Sequence, residues 1–172
     1  INDYSQILKD ELAISSEQME DLDLKPIIES VVDDFNNIYI EKKNVNIKLN
    51  TSGSKNYIIK GISNRVEQII ANLLDNSISF SKEGGNVFVN IADNQKKQIS
   101  VKIFDEGQGF KEKDTSRIFK RFYSNRPEKF GEHSGLGLNI VKNLIDLHGG
   151  TISASNNNRG KGAKIEIIFP SA

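Results

Sequence analysis

Hydrophobic positions recur along this chain with two periods, and the switches between them mark its elements. Ile1, Tyr4, Leu8 and Leu12 stand at helical spacing with Asp3, Lys9, Asp10 and Glu11 between them, and no Gly or Pro interrupts before Met19. A stripe this narrow suits either the seam of a helical bundle or coiled coil, or an ordinary amphipathic helix packed on its own domain. Leu22 to Pro26 breaks the pattern, and Pro26 suits the first turn of a second helix that carries Ile27, Ile28, Val31, Val32 and Phe35 to about Glu41. The period then shortens to two. Val45, Ile47 and Leu49 alternate with polar residues, and Tyr57 and Ile59 repeat this after a turn at Thr51–Ser54. The spacing of Val66, Ile69, Ile70, Leu73, Leu74 and Ile78 predicts a third helix from roughly Arg65 to Ser81. Asn64 with Glu67 three residues later fits a capping box at its start, which gives Glu67 a structural role.

Beyond the turn at Glu83-Gly84-Gly85, Val87, Val89 and Ile91 predict one strand, and Ile99, Val101 and Ile103 predict its hairpin partner. Glu106 to Ser134 reads as one long loop, of a length that compact domains carry for a functional reason. A last helix ends at His148 before Gly149-Gly150, and strands follow around Ile152 and Ile165–Phe169. Asn156-Asn157-Asn158 reads as a loop tip. Helices and strands in this order suggest a two-layer α/β sandwich.

Composition narrows the function classes. The 172 residues suit one domain with at most an appendage, and 37% hydrophobic with 27% charged residues is ordinary for a soluble fold. Lys plus Arg number 23 and Asp plus Glu 23, a balance that argues against coating nucleic acid or an anionic membrane. Without cysteine there is no disulfide scaffold, thiolate metal site or thiol nucleophile. The two histidines are too few for most His-based metal sites. The chain opens on Ile1 rather than Met, with no signal peptide or spanning run, and the expectation is a soluble piece of a longer polypeptide.

Three segments carry candidate chemistry. Opposite the apolar face of the third helix lie Gln68, Asn72, Asp75, Asn76 and Ser79, where a surface helix would favour Lys and Glu. Asn competes for backbone hydrogen bonds inside a helix, so two of them one turn apart carry a cost. Two amide oxygens aimed at one spot suit Mg²⁺ that keeps several waters and bridges phosphates; a solvated polar face is the competing reading. Asp105-Glu106-Gly107-Gln108-Gly109-Phe110 follows a strand, so a carboxylate is succeeded by glycines that let a ligand approach the backbone, or by a simple turn. Ser134-Gly135-Leu136-Gly137-Leu138 opens the last helix, where free N–H groups and the helix dipole favour anions such as phosphate. Neither a P-loop nor an early Gly-x-Gly-x-x-Gly is present.

Taken in order, these segments resemble the boxes of bacterial sensor histidine kinases. Arg65–Ser77 is similar to the N box, Asp105–Gly109 to the first glycine box, Ile118–Tyr123 to the F box and Gly135–Leu138 to the second glycine box, with His148-Gly149-Gly150 closing. Arg121-Phe122-Tyr123-Ser124-Asn125-Arg126-Pro127, with Phe130-Gly131, most resembles the ChvG/ExoS-type kinases of alphaproteobacteria, and Ile1–Ser5 resembles the end of their second dimerisation helix. The resemblance implies the Bergerat fold: an α+β two-layer sandwich, its mixed, mainly antiparallel sheet packed on three helices, with an N-terminal helical extension. It divides the chain into the end of a dimerisation helix, 1–19, and a catalytic and ATP-binding domain, 20–172.

It implies ATP and Mg²⁺ as ligands. Asn76 matches the metal-ligating amide and Asn72 its support, with Ser79 one turn on. Asp105 matches the carboxylate that accepts from the adenine amino group, with Gly107, Gly109 and Phe110 against base and ribose. Lys111 to Ser134 matches a lid, in which Lys120, Arg121 and Tyr123 are candidate nucleotide contacts while Phe119 and Phe122 anchor it to apolar surface. Ser134, Gly135, Leu136, Gly137 and Leu138 match the phosphate-binding helix start. The implied partners are a dimerisation domain carrying the phosphoacceptor histidine, a response-regulator receiver domain, and a second copy in the intact homodimer, with no nucleic acid. The implied setting is the cytoplasmic portion of an inner-membrane protein.

The chain departs from that pattern in several places. Ser79 stands where many relatives have lysine, Ser124 where many have arginine (Arg126 being a candidate substitute), and Lys164 where threonine is common. The phosphoacceptor box is absent. His133 falls in the lid, and His148 reads as a surface imidazole favoured by a helix C-terminus. No catalytic residue is therefore assigned here, the general base being expected from the missing box. Two other readings stay open: a gyrase- or MutL-type ATPase, against which the lack of a glutamate at Asn72 counts, and a non-catalytic nucleotide-binding or interaction module.

Overall fold

A computed structural model describes residues 18–53, 56–94, 96–110, 118–119, 137–157 and 162–172. In chain order the elements are β1 (Glu20–Asp23), α1 (Leu24–Lys42), β2 (Asn46–Ser52), β3 (Ile58–Gly61), α2 (Ser63–Phe80), β4 (Asn86–Asn94), β5 (Gln98–Asp105), α3 (Gly137–Leu147), β6 (Thr151–Asn156) and β7 (Ala163–Pro170). The expected helix over 1–19 lies almost wholly outside the described residues.

The main sheet has the order β2-β4-β5-β7-β6, with β2 parallel to β4 and every other pair antiparallel. The three helices form the second layer, α2 packing against both α1 and α3. The period-two pattern sets this up. Val87, Val89 and Ile91 of β4, Ile99, Val101 and Ile103 of β5, and Ile165, Ile167 and Phe169 of β7 are all buried in one core with Val66, Ile69, Ile70, Leu73 and Leu74 of α2. The hairpin forms in the register that pairs Val89 with Ile103 and Ile91 with Val101. This is the expected α+β sandwich.

Four local features differ from the expectations. Glu20–Asp23, three acids around Leu22, has no strand pattern, yet it pairs antiparallel with β3 as a separate two-stranded sheet. That pairing is imposed from outside: Asp23 caps α1 by accepting from the Lys25 N–H at 3.1 Å and also takes the Tyr57 N–H at 3.3 Å. The two alternating segments around Thr51–Ser54 do not pair with each other either, because β2 joins β4 while β3 goes to β1. The capping box is absent. Helix α2 begins at Ser63 with Ile62 as its cap and no side-chain cap hydrogen bond, so Asn64 already lies inside the first turn.

His148 explains how such a start is tolerated. It is buried at 6% exposure, not on the surface. Its Nε2 accepts from the Ile62 N–H at 3.2 Å, and its Nδ1 donates to the Leu144 carbonyl at 2.7 Å, which assigns the proton to Nδ1. The ring meets Phe169 edge-on. One imidazole thus ties the end of α3 to the start of α2.

His148→Phe keeps the aromatic packing but leaves the Ile62 N–H without its acceptor, and an unmet buried group costs roughly 1–3 kcal/mol. Urea denaturation should show a loss of that size. An unchanged midpoint and slope would remove the imidazole from the fold's hydrogen bonding.

Candidate functional site

The alternation of β5 continues one step beyond its apolar residues. Ile99, Val101 and Ile103 face the core, and the next inward position is Asp105, only 2% exposed. A carboxylate there loses solvation, so burial pushes its pKa above the ordinary 3.8, and Glu106 beside it adds to the rise. Two backbone donors oppose this: Oδ1 accepts from the Gly107 N–H at 2.9 Å and from the Ala163 N–H at 3.3 Å. Among the described residues Oδ2 accepts no hydrogen bond. The site therefore holds one oxygen in place and leaves the other for a donor.

The loop after Asp105 is packed against its neighbours so closely that side chains are excluded. A Cβ on Gly107 would lie 2.2 Å from the carbonyl oxygen of Phe80, the last residue of α2. A Cβ on Gly162 would lie 2.1 Å from the carbonyl oxygen of Asp105 itself. Gly109 has φ +81, and Phe110 beyond it is buried. The side chain of Asn156 clamps that point, accepting from the Phe110 N–H at 2.7 Å and donating to the Phe110 carbonyl at 3.2 Å. Asn156 thus belongs to the end of β6, not to a loop tip, and with Gly162 and Ala163 it escaped the sequence reading. Gly162-Ala163 after a second glycine was the only local signal.

Helix α2 brings its amides to the same neighbourhood through Phe80. Asn76 is 4% exposed and Asn72 half-buried, so this polar stripe is not a solvated face. Ser79 is also buried, and its hydroxyl donates to the Asn76 carbonyl at 2.7 Å, so it brings no charge to this face. The nearby ammonium of Lys43 donates to the Ile78 carbonyl at 2.8 Å, and burial pushes its pKa down. Among the described residues no group of three His, Cys, Asp or Glu can hold a metal ion. The neutral oxygens of Asn72 and Asn76 fit Mg²⁺ only as part of a shell whose anionic ligands come from a substrate, as with phosphates.

Helix α3 begins at Gly137, where a Cβ would meet nothing within 4 Å. The side chain of Leu138 lies in the core, so only its backbone could meet a ligand at this helix start. Asn139 donates to the Phe119 carbonyl at 3.0 Å, and Ile118 and Phe119 are buried. Lys120, Arg121, Phe122, Tyr123, Ser124, Arg126, His133, Ser134, Gly135 and Leu136 lie outside the described residues.

Comparison with known proteins places this arrangement. Residues 61–172 match the family described as histidine kinase-, DNA gyrase B-, and HSP90-like ATPase. The chain is 33% identical to sensor protein ChvG of Agrobacterium fabrum, an alignment that covers 100% of this chain and 30% of that protein. It is 29% identical to sensor protein kinase PmrB of Pseudomonas aeruginosa, covering 90% of this chain and 31% of that one. The chain thus spans about 30% of the length of these curated relatives. Among solved structures, the catalytic domain of histidine kinase ThkA superposes with a TM-score of 0.77 at 23% identity, covering 90% of this chain and 97% of that one. The mycobacterial sensor histidine kinase MprB gives 0.74 at 24% identity, covering 88% and 97%.

The raised pKa of Asp105 has a consequence for stability. A group that binds its proton more tightly when folded contributes most below its unfolded pKa, and that contribution is lost as pH rises through the folded value. Above its unfolded pKa, a buried Asp105 is therefore a net cost to the fold. Asp105→Asn should be as stable as the parent or more so at neutral pH, and the advantage should shrink toward pH of about 4, near the unfolded value. Denaturation midpoints at several pH values check this; a variant less stable at pH 7 than at pH 4, relative to the parent, would contradict it.

Proposed function

This chain belongs to the family of histidine kinase-, DNA gyrase B- and HSP90-like ATPases, and from that premise we propose that it is the ATP-binding catalytic part of a two-component sensor histidine kinase. The observation that carries the reading is Asp105: a buried carboxylate with one oxygen committed to Gly107 and Ala163 and the other left to accept from an exocyclic amino group such as that of adenine. A guanine would present a carbonyl at the corresponding place, so the same oxygen selects against it. The close backbone approach at Gly107 and the clamp of Asn156 on Phe110 hold the main chain beside that carboxylate.

The triphosphate then extends toward the start of α3 and the amides of α2. Asn76, supported by Asn72, would hold Mg²⁺, which neutralises phosphate charge when bound. Free N–H groups at the start of α3 hold phosphate oxygens without needing a side chain. Lys120, Arg121 and Tyr123 supply the lid contacts in this reading. The chain's share of phosphoryl transfer is positioning and charge stabilisation, not covalent chemistry. The γ-phosphoryl passes to a histidine on a dimerisation domain, and from there to a receiver aspartate of a response regulator. Residues 1–19 form the end of the dimerisation helix, and the intact protein is a homodimer whose cytoplasmic part includes this chain. His148 is no phosphoacceptor, since both its nitrogens are engaged inside the core.

Calorimetric titration with a nonhydrolysable ATP analogue, with and without Mg²⁺, tests the reading. Binding should require the adenine base, and Asp105→Asn should weaken it about tenfold or more, the cost of an unmet hydrogen bond. Equal affinity for variant and parent, or for ATP and GTP analogues, removes Asp105 from base recognition. Asn76→Asp should leave the fold intact and change the Mg²⁺ dependence of binding; an unaltered dependence removes Asn76 from the metal site.

Phosphotransfer gives a second test. The chain alone, incubated with radiolabelled ATP and Mg²⁺, should take up no acid-labile label. A separately added dimerisation domain should become labelled, slowly, because a tethered reaction has become bimolecular. Stoichiometric label on this chain would overturn the assignment of the acceptor to another domain.

A further inference from the structure

Strand β2 is an edge of the main sheet, and one point on it is already paired with something that is not a strand. Asn36 of α1 donates from Nδ2 to the Ile47 carbonyl at 3.0 Å and accepts at Oδ1 from the Ile47 N–H at 2.8 Å. A side-chain amide presents one donor and one acceptor side by side, so it does for Ile47 what a peptide group of a neighbouring strand would do. Backbone groups alternate direction along a strand. Those of Ile47 point away from β4, and so do those of Leu49 and Thr51. Among the described residues nothing pairs with the outward N–H and C=O of Leu49 and Thr51.

These groups open into a groove of about 430 Å³ between α1 and β2, lined by Ile47, Leu49 and Thr51 on the strand side. Two usual protections of an edge, proline and a bulge, are missing along it: β2 contains no Pro and keeps an unbroken register with β4 from Asn46 to Ser52. Lys48, its one charged residue, projects from the other face, over the Phe88 ring. The helix side of the groove carries Lys25, Glu29 and Asp33, spaced one turn apart, above Val32. Glu29 and Asp33 make no ion pair among the described residues, so this wall presents two carboxylates against one ammonium.

We propose that this groove is a docking site for an extended, basic segment of a partner protein, which joins the sheet as a sixth strand along Leu49–Thr51. The four outward backbone groups supply main-chain hydrogen bonds, and Glu29 and Asp33 select a lysine or arginine on the incoming strand. A second copy of this chain is a poor occupant, because edge-to-edge pairing of β2 with itself would oppose the same acidic walls. Only two residues are left to pair, which suits a reversible contact made in trans. The site lies on α1 and β2, apart from Asp105 and the amides of α2, and does not depend on the nucleotide reading.

The test uses a capped heptapeptide, Thr-Lys-Val-Lys-Val-Lys-Thr, titrated into the isotopically labelled chain and followed by amide NMR. Binding should shift the Leu49 and Thr51 amides and slow their hydrogen exchange about tenfold. Three changes should each weaken it at least tenfold: N-methylation of alternate peptide nitrogens, replacement of the peptide lysines by glutamates, and Thr51→Pro. That last substitution removes an outward N–H at an edge position where proline is tolerated. Should Thr51→Pro fail to fold, the N-methylated peptide against the parent chain still decides. The proposal is overturned by absence of shifts at about 1 mM peptide, by equal binding of the N-methylated peptide, or by shifts confined to other surfaces. Protection of the same amides through self-association without peptide would overturn it in favour of a second copy.

Discussion

Burying a carboxyl group at the end of a central strand sets the terms for most of what surrounds it. Asp105 occupies an inward position of β5 where the pattern so far is Ile99, Val101, Ile103, and it pays for that place in lost hydration. Two N–H groups converging on Oδ1 make the charge tolerable, and they can converge only because backbone comes very close. Hence Gly107 lies against the Phe80 carbonyl and Gly162 against that of Asp105, at separations no Cβ would permit. The ends of α2, β5 and β7 are drawn together by the need to solvate one side chain with main chain. That convergence also fixes the backbone around the one carboxylate oxygen that accepts no hydrogen bond among the described residues.

The backbone around Asp105 is held from several sides by polar contacts. His148 joins the end of α3 to the first residue before α2, so the two helices that flank the site share a hydrogen-bonded core group. Asn156 fixes the backbone of Phe110 from the end of β6. Ser79 and Ser81 return their hydroxyls to carbonyls of α2 itself, which lets a polar helical face be buried without leaving donors unmet. None of these groups needs to touch a ligand to matter for binding it.

The far edge of the same sheet solves a different problem with a similar device. Asn36 closes the Ile47 backbone with a side-chain amide, just as Asn156 does for Phe110. In each place the closure covers the backbone of one residue. A net charge of zero says nothing of this local arrangement, in which Glu29 and Asp33 line the groove while Lys48 lies over the Phe88 ring.

Residue pattern alone determined the parts of this protein that depend on neighbours in sequence. The apolar stripe of α2, the pairing of β4 and β5 as a hairpin and the stop after α3 follow from period and turn chemistry, and the ordered boxes marked Asn76 and Asp105 as site candidates. Tertiary structure alone decided the rest, because the partner in each case is distant in sequence. Glu20–Asp23 becomes a strand only when β3 is there to pair with it, and β2 finds β4 across a helix instead of β3 across a turn. Asn64 looked like a cap, but the start of α2 was set by a histidine that follows 86 positions after Ile62. Asn156 looked like a turn residue until Phe110 supplied the backbone it holds. Local pattern fixes which face of an element is apolar; which polar group is buried depends on what arrives to hydrogen-bond it, and that is decided only on folding.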